Sequence, residues 1–509
     1  MLAVAVVAVV TTPISASNIS IPTSRTPNGS SGEGSRAYMK VYADMARAKA
    51  DMSDKLRASA ASIPVPTAAQ LQYQQQELVA LTHFNMATFY KNGDPACDPS
   101  NWAESQLPSS FAPTNLNMSN WIESYKALGA RSGILTAKHG CGFLLWPTKV
   151  TLPNGDNYGY HVGNGIGVDL ADMYVKSMRA AGLRPSFYYS LKDSYYLNAI
   201  HDNVRPPATL IKGQVNVTQE EFESISVAAV TELWSKYGEL AEIWFDGGIS
   251  GRIKSRIVPL LASLQPNAVT MGAGIENSPN DVSWVGTESG TPKYPVWSTG
   301  CAAPGAGSRG IEPGATGSGA FCPKCGDCTL QAPDTWFWEP NQPIKPLSTL
   351  INMYHHTVGQ NGVMELDFAI DRTGNVDPTH AKAYAAFGSW IRACYDKPVG
   401  GKGFTNTTVL EVSLPGNGHT IDRVAIQEDL KFGQRVTAYK VEARQMGSAA
   451  WRPFGSDKTD SGSAVGHKKI DIVETPLLHV TALRLTITST VASLMPSISL
   501  RAFAPCPKG

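Results

Sequence analysis

Two carboxylates stand at positions where they could cleave a glycosidic bond. Asp246 closes the run Glu242-Ile243-Trp244-Phe245-Asp246-Gly247-Gly248, and Glu288 lies in Trp284-Val285-Gly286-Thr287-Glu288-Ser289-Gly290. Each ends a short β-type stretch and is followed at once by glycine or serine. Each is therefore delivered to a strand-to-loop junction, where barrel enzymes keep their reacting groups, and not to a core. A retaining mechanism needs one ionised carboxylate to attack the anomeric carbon and one protonated carboxyl to give its proton to the departing oxygen, about 5 to 5.5 Å apart. Once the first has become an ester, its negative charge no longer holds up the proton affinity of the second, which then serves as a base. An aspartate before Gly-Gly is also a common turn or cap residue. Glu276 lies near enough to Glu288 to compete with it, whereas Glu239 and Glu242 read as a helix end and a strand start.

The elements that would carry these residues repeat. Helical pattern over Trp121 to Leu128 precedes the apolar run 133–139, and Asp169 to Ala181 precedes 185–190. Glu220 to Tyr237 precedes 243–246, and Ile253 to Leu264 precedes 268–272. Four helix-then-strand units in succession predict parallel strands with crossover helices. Their number and spacing predict an α/β fold, a (β/α)8-like barrel, and no Gly-x-Gly-x-x-Gly follows a first strand to suggest a dinucleotide fold. His139, Tyr188, Tyr189 and Asp246 would then converge on one rim. After about Gly400 the texture changes to short strand-like runs at 408–414, 422–426, 435–443, 469–473, 482–488 and 497–503, separated by Gly, Pro, Asn and Ser turns. This predicts a C-terminal all-β sandwich, either a sugar-binding module or a buttress. The expected division is a leader over 1–17, a Ser/Gly-rich and helical segment over 18–64, a catalytic barrel over 65–398 and the sandwich over 399–509.

With 509 residues the chain is long enough for two domains. Lys and Arg number 43 against 42 Asp and Glu, and no basic stripe or long apolar run argues for nucleic acid or a membrane as partner. Leu2 to Val10 is an apolar run followed by the small residues Ser15-Ala16-Ser17, and sequons occur at Asn18, Asn28, Asn117, Asn216 and Asn406. Together they predict a secreted glycoprotein. The eight cysteines would be expected to pair in an oxidising compartment. Cys322, Cys325 and Cys328 are expected in disulfides of a glycine-rich loop, since no second half of a zinc site lies nearby. No metal or cofactor is called for.

The string Leu135-Thr136-Ala137-Lys138-His139, with Gly142-Phe143 and Leu145-Trp146-Pro147, and the string Trp244-Phe245-Asp246-Gly247-Gly248 resemble the α-L-fucosidases of glycoside hydrolase family 29. His83-Phe84 with Thr88-Phe89, Trp284 to Glu288 followed by Tyr294 to Thr299, and Gly433 to Val436 are similar to the same family. The resemblance implies a retaining exo-glycosidase that removes terminal α-L-fucose from oligosaccharides or glycoproteins. Asp246 would be the nucleophile and Glu288 the acid/base of the subgroup with the Trp-Val-Gly-x-Glu motif, which acts on α-1,3/1,4-linked fucose. His83, His139 and Trp244 would line the sugar pocket, joined by Tyr188 and Trp102. The chain departs from the family pattern at Gly140 and Cys141, where a second His and an Asp are usual, and at Asn101, where a Glu usually precedes the Trp. Another retaining exo-glycosidase, galactosidase-like, or a silent fucose-binding protein are the alternatives.

Overall fold

The polypeptide between residues 78 and 369 supplies the eight strands of a closed barrel, buried along nearly all of their length. The computed structural model describes residues 63–90, 97, 106–273, 280–298, 320–455 and 461–506. The strands are β1 (Leu78–His83), β2 (Ser132–Lys138), β3 (Arg184–Tyr189), β4 (Glu242–Trp244), β5 (Val269–Met271), β6 (Asp281–Trp284), β7 (Lys324–Cys328) and β8 (Gly362–Ala369). All pair in parallel, each with its sequence neighbours, and β1 pairs with β8 to close the barrel. Alternation of side chains sorts the two faces. Val79, Leu81, Ile134, Tyr188, Trp244, Met271, Cys325 and Val363 fill the interior, while Leu78, Ala80, Leu135, Phe187, Ile243, Leu366 and Phe368 meet the surrounding helices.

Among the described residues, seven α-helices are nine residues or longer: α1 (Ala68–Gln76), α2 (Met118–Leu128), α3 (Leu170–Ala180), α4 (Gln219–Lys236), α5 (Gly251–Leu264), α6 (Leu347–Thr357) and α7 (Pro378–Tyr395). Their starts are written locally. Thr67 and Gln70 form a capping box on α1, Thr218 and Glu221 form one on α4, and Asn117, Asp169 and Asp377 cap α2, α3 and α7. The four predicted helix-then-strand units are α2–β2, α3–β3, α4–β4 and α5–β5. Helix α1 sits across the N-terminal ends of the strands, where Gln70 donates to the carbonyls of Asp281 and Phe321 and Tyr73 reaches Glu365 inside the barrel.

Two sequence expectations fail here. The Cys322-to-Cys328 stretch is not wholly a loop, because Lys324–Cys328 is barrel strand β7. Nor do all the cysteines pair. Cys97 is bonded to Cys141 and Cys394 to Cys506, and Cys322 is disulfide-bonded, but Cys325 and Cys328 are buried free thiols. Three residues apart on one strand, these two point to opposite faces, Cys325 inward and Cys328 outward, so they cannot meet.

The β-rich region has strands β9 (Gly400–Asn406), β10 (Val409–Ser413), β11 (His419–Glu428), β12 (Val436–Gln445), β13 (Lys469–Thr490) and β14 (Ser497–Phe503), all antiparallel. The runs predicted at 469–473 and 482–488 are one strand. β13 pairs with β11 over its first half and with β10 and β12 over its second, crossing the core of Leu410, Val412, Ile421, Ile426, Val441, Leu483, Leu485 and Leu500. Barrel and sandwich belong to one unit that begins at Lys55. His467 and Lys468 pair with Glu77, Asn361 accepts from His467 N at 2.7 Å, and the Cys394–Cys506 disulfide ties α7 to the C-terminal tail. The leader, residues 18–62 of the segment expected to be partly helical, Trp102, Asn101 and Glu276 lie outside the described residues.

Candidate active site

The strand ends carry the chemistry. Asp246 sits two residues past the end of β4, half-buried, and its Oδ2 accepts a 2.6 Å hydrogen bond from the Tyr188 hydroxyl. Glycine follows because the chain must turn sharply there. Gly247 has φ +70°, and a Cβ on it would lie 2.6 Å from Lys192 Cγ. Tyr188 cannot swing away, since its ring is stacked between Trp244 (centroids 5.0 Å apart, 15° between planes) and His139 (5.6 Å, 18°). Trp244 is fixed in turn by its indole N–H, which donates to Glu365 Oε2 at 3.2 Å.

Behind this aromatic layer lies a polar floor. Glu365 on β8 also accepts from Tyr73 at 2.6 Å, and Glu242 and Cys325 approach the same carboxylate. Burial pushes both glutamates up. Glu242 goes well above the carboxylate range because Glu365 opposes its ionisation, whereas the donors around Glu365 hold that group back. The floor therefore holds one protonated acid beside one multiply hydrogen-bonded partner. Glu242 is a strand-start residue, as expected, and is fully buried in this floor.

His139 reaches the pocket through a bulge. β2 has one extra residue against β3, with Thr136 opposite Tyr188 but Lys138 opposite Tyr189, which resets the alternation and aims His139 at the tyrosine. Burial, reinforced by the neighbouring His83, pulls His139 down to about 3, so the ring is neutral at any ordinary pH. The Lys138 ammonium donates to the carbonyls of Ser190 and Asp193, and burial pulls its pKa down to about 7.

The second carboxylate joins through residues that sequence reasoning missed. His83, at the end of β1, shares a 2.8 Å hydrogen bond with Asp367 of β8, and its ring lies 5.0 Å from Trp336 and 5.2 Å from Phe337. Trp336 Nε1 donates to Glu288 Oε2 at 3.3 Å. Contacts therefore run from Asp246 through Tyr188, His83 and Trp336 to Glu288 on one rim. Glu288 is exposed on its loop after β6, whereas Asp327 on β7, close to it, is buried and accepts from Trp284 Nε1 at 2.6 Å. Burial pushes Asp327 up to about 8, with Glu365 and Glu288 adding to the rise.

Of the sequence-predicted site residues, Asp246, Glu288, His83, His139, Tyr188 and Trp244 thus come together. Asp327, Trp336, Phe337, Glu365 and Asp367 were not read from sequence. A signal for two of them was present, since Glu365 and Asp367 are carboxylates spaced by two in the otherwise apolar run Val363 to Phe368. Among the described residues no group of three or more His, Cys, Asp or Glu is arranged to hold a metal ion.

The profile of the α-L-fucosidase family matches residues 69–395. Among curated proteins, α-L-fucosidase 1 of Arabidopsis thaliana is 25% identical over 455 residues, covering 80% of this chain and 81% of that protein. A solved structure of a proposed α-L-fucosidase from Bacteroides thetaiotaomicron is 28% identical, with a TM-score of 0.73, and covers 87% of this chain and 100% of its own. A Ruminococcus gnavus GH29 fucosidase, solved in complex with fucose, shares the fold at 19% identity and a TM-score of 0.68, covering 88% of this chain and 97% of its own.

Proposed function

The chain belongs to the α-L-fucosidase family, and from that premise we propose that it hydrolyses terminal α-L-fucose with retention, through a fucosyl-enzyme on Asp246. The observation that carries this reading is the 2.6 Å hydrogen bond from a doubly stacked tyrosine to Asp246, which aims one carboxylate oxygen while the residue stays half-buried at the rim. Glu288 gives its proton to the glycosidic oxygen as Asp246 bonds to the anomeric carbon. It then takes a proton from the water that displaces Asp246, so one residue serves both steps. An exposed loop position suits a group that must meet the leaving glycan and then water. Neutral His139 and His83, the latter oriented by Asp367, would hold the sugar hydroxyls, and Trp244 would supply an apolar wall for the methyl group.

The Trp284-Val285-Gly286-Thr287-Glu288 motif supports α-1,3/1,4-linked fucose on branched glycans as the substrate. Export into an oxidising compartment belongs to the same proposal. It is supported by two intact disulfides and by the exposure of the sequon residues Asn117, Asn216 and Asn406. The test is a panel of fucosylated oligosaccharides differing only in linkage, together with an aryl α-L-fucoside. Asp246→Ala should abolish release from all of them, and Glu288→Gln should slow poor leaving groups by about 100-fold or more and nitrophenol far less. Fucose binding without turnover by the unaltered chain would replace the enzyme with a lectin. Inverted product would refute the covalent step.

A further inference from the structure

The turn that carries His139 is held by a covalent tie from another part of the barrel. Cys141, fully buried, is bonded to Cys97, 44 residues earlier in the connection between β1 and α2. The turn is tight. Gly142 N donates to His139 O at 2.8 Å, and Gly142 itself has φ +81°. The cross-link draws the backbone of Cys97 against position 140, where a Cβ would stand 3.0 Å from the Cys97 carbonyl oxygen and 3.7 Å from its Cβ. A side chain there would have to push the Cys97 carbonyl by a few tenths of an ångström. Glycine at 140 and cysteine at 141 are therefore one feature: the Cys97 backbone crowds the space a side chain at 140 would enter, and the sulfur at 141 anchors Cys97 there.

We infer that the Cys97–Cys141 disulfide is a positioning element for sugar binding, which holds the His139 turn from behind in place of polar side chains at 140 and 141. The inference rests on the fucosidase reading for its kinetic consequence but not for its structural one. The other contacts on the turn are hydrogen bonds from neighbouring loops, Tyr195 N to Gly140 O at 3.0 Å, Tyr196 N to Cys141 O at 3.4 Å and the Tyr158 hydroxyl to Gly142 O at 2.6 Å. These connect the turn to the segments after β2 and β3, and among the described residues the disulfide is its covalent tie to the segment after β1. A dithiol reductant that opened the bond would convert both sulfurs to thiols, itself becoming a disulfide, and would free the turn on that side.

The experiment uses the full-length protein with Cys97→Ser/Cys141→Ser, measuring kcat and KM on an aryl α-L-fucoside and hydrogen exchange of residues 139–142. Loss of His139 placement costs about one hydrogen bond to the sugar, so KM should rise about tenfold with kcat within about threefold. Exchange of the turn should also quicken. Reductant should produce the same change in the unaltered protein and in Cys394→Ser/Cys506→Ser, and nothing further in Cys97→Ser/Cys141→Ser. Unchanged KM together with unchanged exchange overturns the inference, leaving the disulfide a staple for folding alone. If the double variant does not fold, Gly140→Ala decides, since its methyl must push the Cys97 carbonyl. Raised KM supports the clamp and unchanged KM overturns it. An unaltered protein inactive on every fucoside would refute the fucosidase reading, and the exchange measurement would still decide the clamp.

Discussion

Tyr188→Phe separates what the phenol hydroxyl does to Asp246 from what the ring does to the pocket. The ring is stacked on both faces, by Trp244 and His139, and phenylalanine keeps both contacts while deleting only the 2.6 Å hydrogen bond. A hydrogen bond to a charged acceptor contributes about 1.5–3 kcal/mol. The bond is strongest when Asp246 is a free carboxylate and weaker when its oxygen is esterified to the sugar. Its removal therefore destabilises the free enzyme relative to the fucosyl-enzyme. If about half of that difference is expressed at the transition state, departure of the carboxylate in the second step is harder by about 0.75–1.5 kcal/mol, or about 3- to 12-fold in rate. The first step gains a comparable amount, offset by poorer aim. The variant should then accumulate the covalent species. Stopped-flow release of nitrophenol would show a burst approaching one equivalent per enzyme, followed by a steady state slowed about 3- to 12-fold. No burst with kcat unchanged would mean that the hydroxyl does not act on the reacting carboxylate. A loss as complete as that of Asp246→Ala would mean that the tyrosine itself takes part in bond making.

Two further outcomes follow from the pocket's second carboxylate and its neighbours. Asp327 is buried and pushed up to about 8, so between the ordinary carboxylate pKa near 4 and pH 8 the folded protein keeps a proton that the unfolded chain has lost. Its contribution to stability is fully present below pH 4 and is lost as pH rises to 8, by about 1.4 kcal/mol per unit. Asp327→Asn mimics the neutral acid and should flatten that slope, so variant minus wild-type melting temperature rises by roughly 5 °C from pH 4 to pH 8 for a chain of this size. A difference that stays constant with pH would show that Asp327 ionises normally. Trp336→Phe keeps a ring against His83 but removes the N–H to Glu288. It should lower kcat/KM about 2- to 10-fold on oligosaccharides and less on nitrophenyl fucoside, whose leaving group needs little proton. Equal losses on both would place the role of Trp336 in binding.

What the sequence made legible depends on how local its cause is. The α2 to α4 crossovers carry local caps at Asn117, Asp169 and Thr218, and all four of α2 to α5 are followed within a few residues by short apolar strands. Asp246 and His139 were readable because both sit at strand ends, beside glycines that the turn requires. β7 was not, since Lys-Cys-Gly-Asp-Cys has no apolar alternation of its own. It is a strand because β6 and β8 hold it on either side, and its inward polar residues are satisfied by long-range partners such as Trp284. Trp336 and Phe337 were missed for a related reason. They lie on an irregular segment after β7, and only the closed barrel brings that segment over His83 and His139. The expectation that every cysteine pairs failed at Cys325 and Cys328 because the even count of eight says nothing of strand faces, and β7 places these two back to back.

The carboxyls of the barrel are sorted by depth, and that sorting argues for the reacting pair independently of any likeness to other proteins. An isolated ionised group deep in the interior costs several kcal/mol, so a buried acid either keeps its proton or gathers donors. Glu242 and Asp327 take the first course, and Glu365 restrains its rise by the second, accepting from Tyr73 and Trp244. None of these can serve as a nucleophile, because a buried neutral acid is not ionised and a multiply bonded carboxylate is not available. Among the described carboxyls of this rim, Asp246 and Glu288 combine contact with the aromatic pocket and access to water, the first half-buried under one phenol hydroxyl and the second exposed beside one indole. Moving Asp246 two residues back along β4 would place it at Trp244, facing Glu365 in the floor, where ionisation would be opposed. The requirement for a charged nucleophile thus puts Asp246 past the strand end, and the sharp turn that this entails puts glycine after it.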